Sequence, residues 1–128
     1  MALNVLVVDD SAVARSMMIR TLRMSGLPLG EVFQAGNGQE GLAALEQNWV
    51  DLVLVDINMP IMDGEQMLSA VRNNPLWKDL PVIVVSTEGS QTRIERLRSE
   101  GASFVHKPFT PEIVSSIVLE LTGVAHEQ

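Results

Sequence analysis

Short apolar runs and longer amphipathic stretches alternate along this chain from one end to the other. The runs LNVLVV at 3–8, LVLV at 52–55 and VIVV at 82–85 are almost free of polar residues. Runs this short, rich in Val and Leu, predict parallel strands covered on both faces. Weaker strand candidates lie at 31–34 and 103–106. The stretches between them read as helices. Ser11 is placed to cap the first, which the spacing of Ala14, Met18 and Leu22 carries to about residue 25, before Gly26 and Pro28. A second is expected over 38–47 with Asn37 as cap, and a third over 64–73, capped by Asp63 and stopped before Pro75. The fourth spans 91–100 and is closed by Gly101. The fifth starts at Pro111 behind a Thr110 cap and ends near residue 122.

Five such strand–helix units predict an α/β protein with a five-stranded parallel sheet, helices on both faces and right-handed crossovers. Five strands are too few for an eight-stranded barrel, so the expected form is an open, doubly wound sheet. The length of 128 residues suits one domain, expected over 1–124 with a loose tail at 125–128. No apolar run approaches the roughly 18–20 residues of a membrane span, and the start lacks the basic and apolar stretches of a secretory signal. The absence of cysteine excludes disulfides and fits the cytoplasm, the expected location. A net charge of −7 argues against a nucleic-acid partner, which would need a basic footprint. The basic residues Arg93, Arg96 and Arg98 gather on one predicted helix, as a solvated face or as a docking surface.

In an open parallel sheet, ligands bind beyond the carboxyl ends of the strands. The predicted strand ends carry Asp9 and Asp10, then Asp56, then Ser86 and Thr87, then Lys107. A lone Asp in such a place is commonly a helix cap, and Asp10 or Ser11 alone supports nothing more. The information lies in finding them together at four strand ends. Two carboxylates about 4 Å apart repel by roughly 4 kcal/mol at an effective dielectric of about 20. A hard divalent cation such as Mg²⁺ offsets that repulsion with all-oxygen ligation. The grouping suits phosphoryl transfer, with one carboxylate as nucleophile, Lys107 facing the phosphoryl oxygens and Ser86 donating a hydrogen bond.

At these residues the chain resembles the receiver domain of bacterial response regulators, in particular single-domain members of the CheY type. The resemblance covers essentially the whole chain. It rests on VLVVDDS at 5–11, AGNG at 35–38, LVLVDINMPIMDG at 52–64, VIVVST at 82–87 and GASFVHKPF at 101–109. It implies the flavodoxin-like strand order 2-1-3-4-5, which the pattern alone does not supply. It also implies that Asp56 is the phosphoacceptor, and that Mg²⁺ is bound by Asp10, Asp56, the backbone carbonyl of Asn58 and, through water, Asp9. Ser86 would be the switch hydroxyl, Lys107 the phosphate-contacting lysine, and the Lys107–Pro108 bond cis. Asn58 and Glu88 would tune the lifetime of the acyl phosphate. Phe104 stands where the family often has a switch tyrosine, and the chain has no Tyr. The 101–107 loop is also one residue shorter than in CheY.

The resemblance implies a two-component signalling switch rather than an enzyme. Its phosphoryl group would come from a histidine kinase or phosphotransfer protein, met through the first helix with Met17 and Met18, unless both methionines are core. Its output would be protein–protein binding, without an attached output domain, through a surface including Arg93, Arg96, Phe104 and His106. A monomer is expected, with dimerisation of the phosphorylated form left open. The alternatives are a docking receiver that is never phosphorylated and an Asp-nucleophile phosphohydrolase. The latter carries a second Asp two residues after its nucleophile, where this chain has Asn58. A flavin module of similar topology needs a phosphate-cradling loop where Asp9 and Asp10 would repel phosphate.

Overall fold

The structure, a computed structural model, describes residues 2–87 and 89–123. Glu88 and the tail expected at 125–128 lie outside the described residues, as do Met1 and Val124. Strands and helices alternate as β1 (Leu3–Val8), α1 (Ala12–Met24), β2 (Leu29–Ala35), α2 (Gly38–Gln47), β3 (Leu52–Val55), α3 (Gly64–Asn73), β4 (Val82–Ser86), α4 (Gln91–Ser99), β5 (Ser103–His106) and α5 (Pro111–Thr122). The five strands form one sheet in the order β2-β1-β3-β4-β5, and every neighbouring pair is parallel. The doubly wound architecture and the order 2-1-3-4-5 are therefore both present.

Side-chain alternation along the strands builds two cores, one on each face. Leu6, Val8, Val53, Val55 and Val84 meet Met67, Leu68, Val71 and Leu97, under α2, α3 and α4. Val5, Val7, Leu54, Ile83 and Val85 meet Met18, Leu22, Val114 and Val118, under α1 and α5. The central strands look uniformly apolar because both of their faces are covered. Full burial of each Val or Leu side chain contributes roughly 1.5–3 kcal/mol.

Edge strand β2 is longer than the expected 31–34, pairing with β1 from Leu29 to Ala35. Its exposed Gly30 and Glu31 hide the apolar pattern, because only one side of an edge strand is paired. The starts of α1, α2, α3 and α5 follow the expected caps, and Ser90, not among the expected caps, starts α4. Ser11, Asn37, Asp63, Ser90 and Thr110 each accept from the backbone N–H three residues on, and Asp63 forms a capping box with Gln66. Helix α4 stops one residue short of the expected 100, because Gly101 reverses the chain at φ 83°. Among the described residues no helix is long and apolar enough to cross a membrane.

Candidate functional site

All strands of a parallel sheet end at one edge, and four of these ends deliver the predicted polar groups there. Asp9 follows β1 and is 1% exposed. Its Oδ1 accepts from the Ser11 backbone N–H at 2.9 Å, and its Oδ2 accepts from Lys107 Nζ at 3.2 Å. Asp56 follows β3, where its Oδ1 accepts from the Ile57 N–H at 2.8 Å and its Oδ2 lies 3.7 Å from the same Lys107 Nζ. Asp10 is exposed. One oxygen from each of Asp9, Asp10 and Asp56 falls within 4.8 Å of the other two. Ser86 closes β4 and is 1% exposed, its carbonyl accepting from the Lys107 N–H at 2.9 Å.

Among the described residues, charge at the site is unbalanced: three carboxylates face one ammonium. Partial burial pushes the Asp56 carboxyl above its ordinary value, Lys107 opposes this, and Asp9 adds to it. The donor set fits a hard divalent cation. All three groups are oxygen ligands, and Asp10 opens the cluster to solvent. Both Asp9 oxygens already have donors, which suits contact with a cation through water rather than directly.

The loop after Asp56 is held tightly. Gly64 opens α3 against the Asp56 backbone, its N–H donating to the Ile57 carbonyl at 2.8 Å. A Cβ on Gly64 would meet the Asp56 carbonyl oxygen at 2.2 Å, so glycine alone permits this approach. Between them, Ile61 has φ 67° and is 76% exposed. The Met62 N–H donates back to the Pro60 carbonyl at 2.7 Å, closing a three-residue turn that strains a β-branched centre. Asn58 is exposed beside the site. The Lys107–Pro108 bond is cis.

The expected output residues divide. Phe104 is half-buried against the α3–α4 core and meets the His106 ring edge-on at 4.9 Å, while His106 itself is exposed. Arg93 forms an ion pair with Glu65, the second residue of α3, and Arg96 Nη2 reaches the same carboxylate at 3.5 Å. Glu65 therefore ties α4 to the helix that begins against Asp56. Met17 and Met18 also divide: Met18 is 3% exposed and in the core, Met17 is 63% exposed. Three further polar residues carry no signal in the sequence. Arg15 donates to the Asp9 carbonyl at 2.6 Å, and Glu65 holds the two arginines. Arg72 donates to the carbonyls of Leu80 and Glu100 at 2.7 Å and of Gly101 at 3.3 Å. Nothing in local spacing marks any of them, since their partners lie on other elements.

An open sheet of this order with an acid pocket at its carboxyl edge defines a class that includes signalling receivers. The chain belongs to the response regulator receiver domain family, whose model matches residues 5–118. It is 33% identical over 122 residues to the probable chemotaxis protein CheY of Rhizobium etli, covering 94% of this chain and 93% of that one. Chemotaxis protein CheY4 of Vibrio cholerae superimposes with a TM-score of 0.82 at 33% identity, over 94% of this chain and 99% of that one. The CheX–CheY–BeF3–Mg²⁺ complex of Borrelia burgdorferi matches with a TM-score of 0.83 at 27% identity, over 93% and 88%. This is a CheY-like receiver domain of two-component signalling, a family of signalling proteins rather than classical enzymes.

Proposed function

We propose that Asp56 accepts a phosphoryl group from the phosphohistidine of a kinase or phosphotransfer protein, in a Mg²⁺-dependent step, and that the phosphorylated chain signals by binding another protein. The observation that carries this is Lys107 Nζ, poised 3.2 Å from Asp9 and 3.7 Å from Asp56 beside three converging carboxylates. An Asp56 oxygen attacks phosphorus, the phosphorus–nitrogen bond to the donor imidazole breaks, and that nitrogen keeps the electron pair and takes up a proton. The product is an acyl phosphate. Lys107 meets the phosphoryl oxygens and favours the charged, nucleophilic form of Asp56. The Ile57 N–H orients the other Asp56 oxygen. Asp10, Asp56 and the Asn58 carbonyl, with Asp9 through water, would hold Mg²⁺, which when bound would neutralise phosphoryl charge. Asn58 and Glu88 tune the lifetime of the product.

Two surfaces complete the reading. For input, a groove of about 350 Å³ beside Lys107 is lined by Met17, Met18, Val85, Pro108 and Phe109. Val13 and Met17, one helical turn apart on α1, extend it as exposed apolar contacts for a donor helix. For output, Ser86 moves toward the phosphoryl group, Phe104 shifts into the space released, and α4 with Arg93, Arg96 and His106 changes shape. The added charge biases an existing equilibrium between two states. The proposed location is the cytoplasm, where the kinase and its targets meet the chain.

Intact-protein mass spectrometry after incubation with acetyl phosphate and Mg²⁺ tests the central step. Wild type is expected to gain one phosphoryl group, Asp56→Asn none, and prior chelation to prevent the gain. No gain from either acetyl phosphate or a phosphorylated histidine-kinase domain, in folded protein, would leave a docking receiver.

A further inference from the structure

A second concavity, of about 560 Å³, opens at the amino edge of the sheet, opposite the acid pocket. That volume is within the roughly 300–1,000 Å³ usual for binding sites. It lies between segment 48–51, which leads into β3, and segment 75–81, which leads into β4. Both tryptophans of the chain, Trp49 and Trp77, line it. Trp77, Val50 and Leu80 pack against the core and make its floor. Trp49 and Leu76 support neither core and are 78% and 85% exposed.

These apolar groups are held in place. Trp49 Nε1 donates to Asp51 Oδ1 at 2.9 Å, Asp51 Oδ2 accepts from the Asn4 N–H at 2.9 Å, and Asn4 Nδ2 donates to the Trp49 carbonyl at 3.1 Å. Across the groove, the Leu76 N–H donates to Asn74 Oδ1 at 2.9 Å, and Arg72 clamps the Leu80 carbonyl. An aromatic anchor fixed in advance loses little entropy on binding. The charged lining is acidic, with Glu46, Asp51 and Asp79 against Lys78. The nearby Arg72 guanidinium donates to backbone carbonyls and is attracted by Asp79, which leaves Glu46 and Asp51 as the acids of the lining without a cation beside them among these groups. An exposed indole beside carboxylates attracts a cation both through its ring face and through the neighbouring charge.

We infer that this groove docks a basic segment of a partner protein, its Lys or Arg lying on the Trp49 ring and its apolar side chain seated between Trp49 and Leu76. The site is separate from the phosphoacceptor, so it is available whether or not Asp56 carries a phosphoryl group. Because both tryptophans line the groove, intrinsic fluorescence of the full chain reports on it selectively. Titration with a short acetylated Lys/Leu peptide is expected to shift the emission saturably, and its Glu/Leu counterpart is expected to leave it unchanged. Leu76→Ser, and separately Glu46→Gln with Asp79→Asn, should each weaken binding about tenfold, which corresponds to about 1.4 kcal/mol. These side chains are exposed, so circular dichroism and acetyl phosphate labelling should match wild type, which keeps the result independent of the proposed phosphorylation. Equal affinity in all variants would reduce the effect to general attraction by an acidic protein and overturn the inference. So would sedimentation showing self-association that Leu76→Ser abolishes, because the occupant would then be a second copy of the chain.

Discussion

Lys107 and Arg72 are cations at opposite edges of the same sheet, and their partners differ in kind. At the carboxyl edge, Lys107 faces two carboxylates, with a third close by. Toward the amino edge, Arg72 donates its hydrogen bonds to backbone carbonyls from the segments before β4 and β5, with the Asp79 and Glu100 carboxylates adding charge attraction. Carbonyls are neutral dipoles fixed by the fold. They satisfy a guanidinium without repelling one another, so the Arg72 cluster has one arrangement and serves stability. Carboxylates repel, and one ammonium cannot neutralise three of them. The Lys107 cluster therefore keeps an excess of negative charge that a cation can relieve, and it is where we propose the chemistry takes place.

That contrast is tested most strongly at the carboxyl edge. Asp56→Asn is expected to lose all phosphoryl uptake in intact-mass spectra while remaining folded. Lys107→Ala should slow uptake by about 10²–10³, the cost typical of removing one charge-stabilising donor, in a time course with acetyl phosphate. Arg72→Ala should lower stability by about 2–3 kcal/mol in urea denaturation, because charge-assisted hydrogen bonds are lost and carbonyls are stranded. Phosphorylation of the folded Arg72 variant should proceed normally, and Arg72→Lys should recover only part of the stability, lacking the planar fork. An Arg72 variant of unchanged stability that failed to phosphorylate would break the contrast.

Smaller effects sharpen it. Ile61→Asn should raise stability by about 1 kcal/mol, because Asn tolerates positive φ better than a β-branched residue. An unchanged unfolding midpoint would show that the turn carries no such strain. The raised Asp56 carboxyl gives the smallest effect, measured with divalent cations chelated. A carboxyl whose folded pKa lies above its unfolded value costs stability when ionised in both states. Asp56→Asn should therefore raise the denaturation midpoint near neutral pH, and the gain should shrink as pH falls through the raised folded value toward 3.8. A gain constant with pH would trace the effect to something other than ionisation.

The site was more legible in the sequence than its surroundings. Asp9, Asp10, Asp56, Ser86 and Lys107 stand at the ends of short apolar runs, and parallel strands bring such ends to one edge. The output surface was legible only as residue types. Arg93 and Arg96 stood out, but Glu65, which holds both, lies 28 residues before Arg93 on a different helix. Adjacent Met17 and Met18 read as a pair, yet neighbours on a helix point about 100° apart, so one is core and the other surface.

The sequence alone carries the alternation of strands and helices, four of the five helix caps and the polar groups that follow four of the strands. These depend on side-chain period and on contacts three or four residues apart. The tertiary structure alone settles the spacing of the carboxylates around Lys107, the carbonyl cage of Arg72, the tie from Glu65 to α4 and the placing of Trp49 and Leu76 on one groove. Each of these joins segments far apart in the chain. Their contact depends on how the helices pack across the sheet and leaves no periodic trace along it.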